Sequence, residues 1–292
     1  MSHDQLVPKY MPPTRRTRRL GRVLKGLRLA AGLSQKTVGT EVGKSEAWVS
    51  RVESGEIRIT PALASELALA YGVSGDREQV EALREAAKDL NQPGWWQQLD
   101  KLSQRYLTYI GFEGDARGIF VYEPVLIHGL LQTEAYARAV VSVGQSDPVK
   151  IEQRLKARLT RQDVLTRRPP VDYHVIISAA ALFCEVGGPR VLGEQLAHIA
   201  ELATTGHITA QVLDWSVGAR MVTPGGFTVL SYEDDDPDLG YVDTAVGEVM
   251  LDDPGQVKEL TDTFNDLVAH AMSPLESVQR IRERVTQCLT KS

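Results

Sequence analysis

No stretch of this sequence carries the roughly 18 consecutive apolar residues that a membrane-spanning helix needs, so no crossing of a bilayer by helices is expected. Cysteine is nearly missing: 292 residues hold only Cys184 and Cys288. They lie far apart, and neither sits in a CxxC or beside a histidine at ligand spacing. That pattern argues against a disulfide framework or a structural zinc and leaves two reduced structural thiols. Histidine is sparse as well. The five after residue 100 (His128, His174, His198, His207 and His270) form no HExxH or HxH. GxSxG, the P-loop and GxGxxG are all absent. An enzyme is therefore not expected: no catalytic residues, no metal and no cofactor are assigned. Met1 to Tyr10 has no apolar core of the signal-peptide kind, so the cytoplasm is the expected location.

What is present is a pronounced charge asymmetry. A hydrophobic share of 42% and a charged share of 24% belong to a folded globular protein, and the length suits two domains. The net charge of −5 would discourage a nucleic-acid partner only if it were evenly spread. Residues 1–60 hold 12 Lys+Arg against 5 Asp+Glu, a net +7, while the rest hold 21 against 33, a net −12. A basic head on an acidic body implies that the head meets a polyanion and the body does something else.

Within the head, Arg15, Arg16, Arg18 and Arg19 precede an apolar periodicity of Leu20, Val23, Leu24 and Leu27, which predicts a helix ended by Gly32. Ser34 caps a second helix opened by Gln35 and Lys36, with Val38 and Val42 running to the turn at Gly43. Ser45 caps a third, Glu46 to Ser54, that buries Val49 and Val52 and stops at Gly55. Thr60 and Pro61 start a fourth, with Leu63, Leu67 and Tyr71 inward and Leu69 and Ala70 near its edge. Two short helices around a glycine turn are the pattern of a helix-turn-helix.

Gly32-Leu33-Ser34-Gln35, Gly43, Ser50-Arg51-Val52-Glu53 and Gly55 fall at the spacing of the phage-repressor-like (Cro/C1, XRE) family, which the head resembles from Leu20 to Val73. The resemblance implies double-stranded DNA as partner, with the third helix in the major groove. Val49 and Val52 face inward, which leaves Ser45, Glu46, Ala47, Ser50 and Arg51 for base edges. Arg51 suits guanine, Glu46 suits cytosine N4 and Ala47 suits a thymine methyl. Gln35 resembles the family's phosphate-contacting glutamine, and Lys36 and Lys44 are expected on the backbone with it. Trp48 either packs at the edge of the helix pair or lies along the sugar-phosphate chain. Arg15, Arg16, Arg18 and Arg19 are either a solvated terminal stretch or an arm for phosphate or the minor groove. By resemblance, Arg28 and Glu53 form a structural ion pair linking the first and third helices.

The domains are expected at 15–75 (helix-turn-helix), 76–94 (a helix from Arg77 to Leu90 striped with Val80, Leu83 and Ala87, then the break Asn91-Gln92-Pro93-Gly94) and 95–292. The last reads as helices at 95–109, 134–143, 148–166, 190–204, 253–272 and 273 onward. Strands are expected at 118–122, 171–178, 208–213, 226–232 and 241–246. The fold class is therefore α+β: an all-α head, then a mixed regulatory domain with a mostly antiparallel sheet rather than a repeating βαβ series. Glu123-Pro124 and Gly129-Leu130-Leu131-Gln132 read as an ordered loop against the sheet, placed to line a pocket. The acidic run Glu233 to Asp238 fits a solvated turn better than a cation site. Gly187-Gly188-Pro189 fits a helix-entry turn better than a phosphate cradle.

YEPVLIHGLLQTEAYARAVV, RLKARLTRQDVLTR, GGPRVLGEQLAHIAEL, ITAQVLDWSVGA and GGFTVLSYE together resemble an uncharacterised, antitoxin-like domain attached to helix-turn-helix regulators of actinobacterial type. His128 departs from it, standing where that family usually has proline. The resemblance implies a homodimeric regulator, a repressor in the commoner outcome, reading an inverted-repeat operator and often encoded beside a small acidic partner protein. It would be cytoplasmic and nucleoid-associated when on DNA, with no membrane partner. The alternative is the same head on a body that senses a small molecule.

Overall fold

The chain divides into two units, Met1–Asp100 and Lys101–Ser292, and the described residues of the first are helical, in five helices. The computed structural model describes residues 14–73, 75–90, 102–222, 225–233, 236–244 and 247–290. The break expected at Asn91-Gln92-Pro93-Gly94, the helix start expected at Trp95, and Asp234 and Asp235 of the acidic run lie outside the described residues.

The helices of the first unit are α1 (Arg15–Ala30), α2 (Gln35–Glu41), α3 (Glu46–Glu53), α4 (Pro61–Ala70) and α5 (Arg77–Asp89). One device starts all five. Thr14, Ser34, Ser45, Thr60 and Asp76 each stand extended and accept the backbone N–H three residues on, satisfying a donor that has no partner inside its helix. Leu20, Leu24, Val38, Val49, Val52, Leu67 and Tyr71 fill the core. One residue of the expected apolar stripe does not join it: Val23 is 45% exposed, because the buried face of α1 runs through Leu20, Leu24 and Arg28. On α4 the buried face runs through Ala64, Leu67, Ala68 and Ala70, so of the two residues expected near its edge Leu69 is exposed and Ala70 is buried. The segment read as a link belongs to the head: Leu83, Ala87 and Leu90 of and after α5 close the same core.

In the second unit, six strands form one sheet: β1 (Gly118–Glu123), β2 (Asp172–Ser178), β3 (Ile208–Leu213), β4 (Phe227–Ser231), β5 (Leu239–Thr244) and β6 (Gly247–Leu251), in the order β3-β2-β1-β4-β5-β6. β1, β2 and β3 pair in parallel, with Ile119 opposite Tyr173 and Tyr173 opposite Ile208. β4, β5 and β6 continue antiparallel from β1. Three of the five pairings are antiparallel, and the whole is α+β, as the sequence implies. The other half consists of two crossover units that the reading missed. α7 (Glu134–Val141) and α8 (Pro148–Arg161) connect β1 to β2, and α9 (Ala179–Phe183) and α10 (Pro189–Leu202) connect β2 to β3. Parallel strands need such connections, and the helices cover the faces of the strands they join.

Alternation along the strands gives two buried layers. Ile119, Val121, Tyr173, Val175 and Ile177 meet α6 (Gln104–Asp115), α10 and α12 (Pro274–Leu289) on one face. Tyr122, Ile176, Phe227 and Val229 meet α11 (Pro254–His270) on the other. α6 begins at the Ser103 cap and buries Tyr109 and Phe112. It thus runs past the end expected at Tyr109, because packing of those rings outweighs the helix-weakening Gly111 and Gly114. α12 is fastened to β3: Val212 N–H donates to Ser277 Oγ at 2.9 Å and Gln211 Nε2 to the Met272 carbonyl at 2.8 Å. Neither Cys184 nor Cys288 is in a disulfide, and the second is buried.

Candidate nucleic-acid interface

α3 owes its outward face to what it buries. Val49, Val52 and Glu53 point inward. At 100° per residue, Glu46, Ala47, Ser50 and Arg51 must then share the opposite side. All four, and the cap Ser45, are exposed. A helix with its side chains is about 10–12 Å across, close to the major-groove width, so this face fits the groove. Its chemistry is mixed: one carboxylate, one guanidinium, a hydroxyl and a methyl, enough to distinguish base edges.

Arg51 has a partner that sequence reading missed. Its Nε donates to Glu56 Oε2 at 3.3 Å, with the two side chains 51% and 44% exposed. Such a surface pair contributes little and yields readily to a stronger acceptor. Glu56 lies just beyond the Gly55 stop, where the chain folds back against α3; Glu56 N–H reaches the Arg51 carbonyl at 2.8 Å.

The remaining positions fall around this helix. Lys36 and Lys44 are exposed. Lys44 Nζ stands 5.8 Å from the Trp48 ring centroid, and Trp48 is half-buried against the core. Gln35 is oriented inward: its amide nitrogen donates to Glu53 Oε2 at 2.8 Å, so that amide is committed within the head. Arg15, Arg16, Arg18 and Arg19 are neither an arm nor an unstructured stretch. They lie in the first turns of α1, with Arg16 and Arg19 exposed and Arg15 and Arg18 half-buried.

Beneath the face, Arg28 and Glu53 meet through two bonds, Nε to Oε1 at 2.6 Å and Nη2 to Oε2 at 2.9 Å. Arg28 Nη1 also donates to the Leu33 carbonyl at 2.8 Å. The hydrogen bond that Arg28 donates to Glu53 is the main cause that holds the Arg28 pKa above its ordinary value. Burial pushes the nearby Tyr71 phenol up. The pair therefore joins α1, the turn before α2, and α3 in one low-polarity interior. Close packing adds to this. A Cβ on Gly21 would lie 2.5 Å from the Glu53 carbonyl oxygen, and one on Gly55, at φ +77°, would lie 2.7 Å from Arg18 N. Only glycine allows α1 to lie this close to the end of α3.

Among the described residues, no group of three or more His, Cys, Asp or Glu could hold a metal ion, and no helix is long and apolar enough to cross a membrane. A family model described as a helix-turn-helix domain matches residues 19–83. One described as a domain of unknown function (DUF5753) matches residues 106–283. No curated protein and no solved structure matches.

Proposed function

Because the chain belongs to the DUF5753 family, whose model spans more than half of it, and opens with a helix-turn-helix domain, we propose that it is a homodimeric transcriptional repressor that reads an inverted-repeat operator. The observation that carries this reading is the exposed face of α3, held outward by Val49, Val52 and the Arg28–Glu53 pair. Ser45, Glu46, Ala47, Ser50 and Arg51 meet base edges. Arg15, Arg16, Arg18, Arg19, Lys36, Lys44 and the edge of Trp48 meet the backbone, with Gln35 contributing through its main chain. The net +7 of residues 1–60 supports this: phosphate contacts supply most of the affinity for duplex DNA, and base contacts supply the choice of sequence.

The body supplies the dimer contact and docks a small acidic partner protein, and the complex works in the cytoplasm, nucleoid-associated while on DNA.

Genome-wide footprinting with the wild-type chain beside Arg51→Ala tests the reading. The wild type should protect paired half-sites about one helical turn apart, and the variant should lose or relax one base position per half-site, at a cost of about 1–3 kcal/mol. Indifference of the purified chain to specific and random duplexes would defeat it, and a strictly monomeric chain at micromolar concentration would defeat the dimer.

A further inference from the structure

The body contains a cavity of about 460 Å³ that the regulator reading does not use. It lies at the carboxyl end of β1, where the parallel half of the sheet gives way to the antiparallel half at β4. Open sheets with parallel strands bind ligands at such carboxyl-end crevices, where the chain connections diverge to either side. The volume is that of an ordinary small-molecule site.

The lining is specific. Glu123, the last residue of β1, lines the cavity, and its carboxyl makes no hydrogen bond or ion pair among the described residues. Gly226 keeps the wall beside it open, since a Cβ there would sit 2.9 Å from the Tyr122 carbonyl oxygen and 3.3 Å from Glu123 Oε2. Arg158 reaches in from α8. Among the described residues its guanidinium donates one hydrogen bond, from Nη1 to Gln132 Oε1 at 2.9 Å, and no carboxylate pairs with it. Asp243 adds a second carboxylate at the rim, and Tyr106 and Tyr241 add aromatic surface.

The neighbouring charges are already committed. Arg161 is held by Glu113 at 2.6 Å and 2.7 Å. His128 is bound through Nδ1 to the Tyr173 hydroxyl at 2.8 Å, and burial drives its pKa down, so it stays neutral. Burial likewise pushes the Glu123 carboxyl up to about 8. An empty cavity thus keeps Glu123 largely protonated near neutrality, and an arriving cation favours its ionised form. Glu123 and Arg158 feel each other's charge but do not pair.

The geometry points to a binding site for a small amphoteric molecule built like an α-amino acid, its ammonium on Glu123, its carboxylate on Arg158 and its side chain against Tyr106 and Tyr241. One carboxylate and one guanidinium, both without an ionic partner and facing one cavity, ask for a ligand that carries both complementary charges. A simple cation leaves the Arg158 charge unanswered, and a simple anion leaves the Glu123 carboxyl without a hydrogen-bond partner. The inference concerns the body alone and stands whether or not the head reads an operator.

Calorimetry on the full chain tests it, with the standard amino acids as probes at up to millimolar concentration, each hit compared with its decarboxylated amine and its deaminated acid. At least one amino acid should bind and raise the melting temperature, and both trimmed counterparts should bind roughly tenfold more weakly or worse, as expected for loss of a charge-assisted hydrogen bond. Glu123→Gln, close in shape to the protonated carboxyl, should cost a similar factor, as should Arg158→Gln. Asp243→Asn at the exposed rim gives a third variant that keeps the fold and should weaken ammonium binding less. Glu194→Gln on the outer face of α10 should change nothing. Absence of binding across the panel overturns the proposal. So does a deaminated acid that binds as tightly as its parent, or affinity that survives both Glu123→Gln and Arg158→Gln. Operator binding measured on the same samples reports separately on the head.

Discussion

Arg28 and Arg51 carry the same charge in one small domain, yet their surroundings give them different consequences. The Arg28 side chain is 8% exposed and bonded on two sides to Glu53, which is 2% exposed. Arg28→Ala leaves a buried carboxylate with only the Gln35 amide for support, and removing one partner of a buried pair costs about 3–5 kcal/mol. The head should melt substantially earlier, with DNA binding falling along with the folded fraction; chemical denaturation followed by helix circular dichroism checks this. Normal denaturation together with lost DNA binding would mean that Arg28 serves DNA directly. Arg51→Ala should leave the same curve within about 0.5 kcal/mol, because Arg51 is half-exposed and its bond to Glu56 is a surface one. Both arginines are visible in the sequence. What separates them there is phase: Arg28 lies about one helical turn beyond Leu24 and two beyond Leu20 on the buried side of α1, whereas Arg51 lies between the inward Val49 and Val52 on a helix that turns it outward. Glu56 was not legible as the Arg51 partner, because its approach depends on the reversal of the chain at Gly55.

At the scale of elements, the five helix starts of the head were readable because each follows from a local rule, a short polar side chain closing a bond to the backbone three residues later. How closely the helices approach is not local. Gly21 reads as a mid-helix glycine with no evident purpose, but it is the point where α1 meets the last carbonyls of α3. Gly21→Ala improves helix propensity by up to about 1 kcal/mol, yet places a methyl 2.5 Å from a backbone oxygen. The clash should win, for a net loss of about 1–3 kcal/mol, with α3 displaced and operator affinity reduced. Gly26→Ala on the same helix, where nothing lies within 4 Å, should be neutral or stabilising, and denaturation of the two variants side by side decides the matter. In the body, β6 escaped the sequence reading for a related reason. Its residues are half-buried or exposed throughout, so they show no hydrophobic alternation, and they form a strand because β5 offers them an edge.

For the molecule as a whole, one buried carboxyl couples stability to pH. The Glu123 carboxyl is raised to about 8 by burial, with the Arg158 charge opposing that rise and Asp243 adding to it. Below the ordinary carboxylate range the folded and unfolded chains are both protonated there, and Glu123 contributes no pH dependence. Between that range and about 8 the unfolded chain releases the proton while the folded chain retains it, so stability falls as pH rises. Above about 8 the full penalty of a buried charge remains. Glu123→Gln should therefore flatten the stability curve over this window and leave the body more stable than wild type in mildly alkaline buffer. Denaturant titrations of wild type and Glu123→Gln side by side across pH check both points; a wild-type-minus-variant stability that fails to fall through the window would contradict them. The difference is taken because buried His128, with its pKa lowered, acts in the opposite direction in both chains.

Local chemistry alone determined where the described helices of the head begin and which side of α3 looks outward, because capping and a 3.6-residue repeat act over a few neighbours; it gave no sign of α9. It also placed β1 to β5 within a few residues and marked a pocket lining that includes Glu123, Pro124, Gly129 and Gln132, while Leu130 and Leu131 of the same run are core. Tertiary structure decided which strands run parallel, that α5 completes the head, and that Glu123 and Arg158 face one cavity unpaired. Those outcomes depend on which surfaces remain to be covered once distant segments meet, a condition that no short stretch of chain contains.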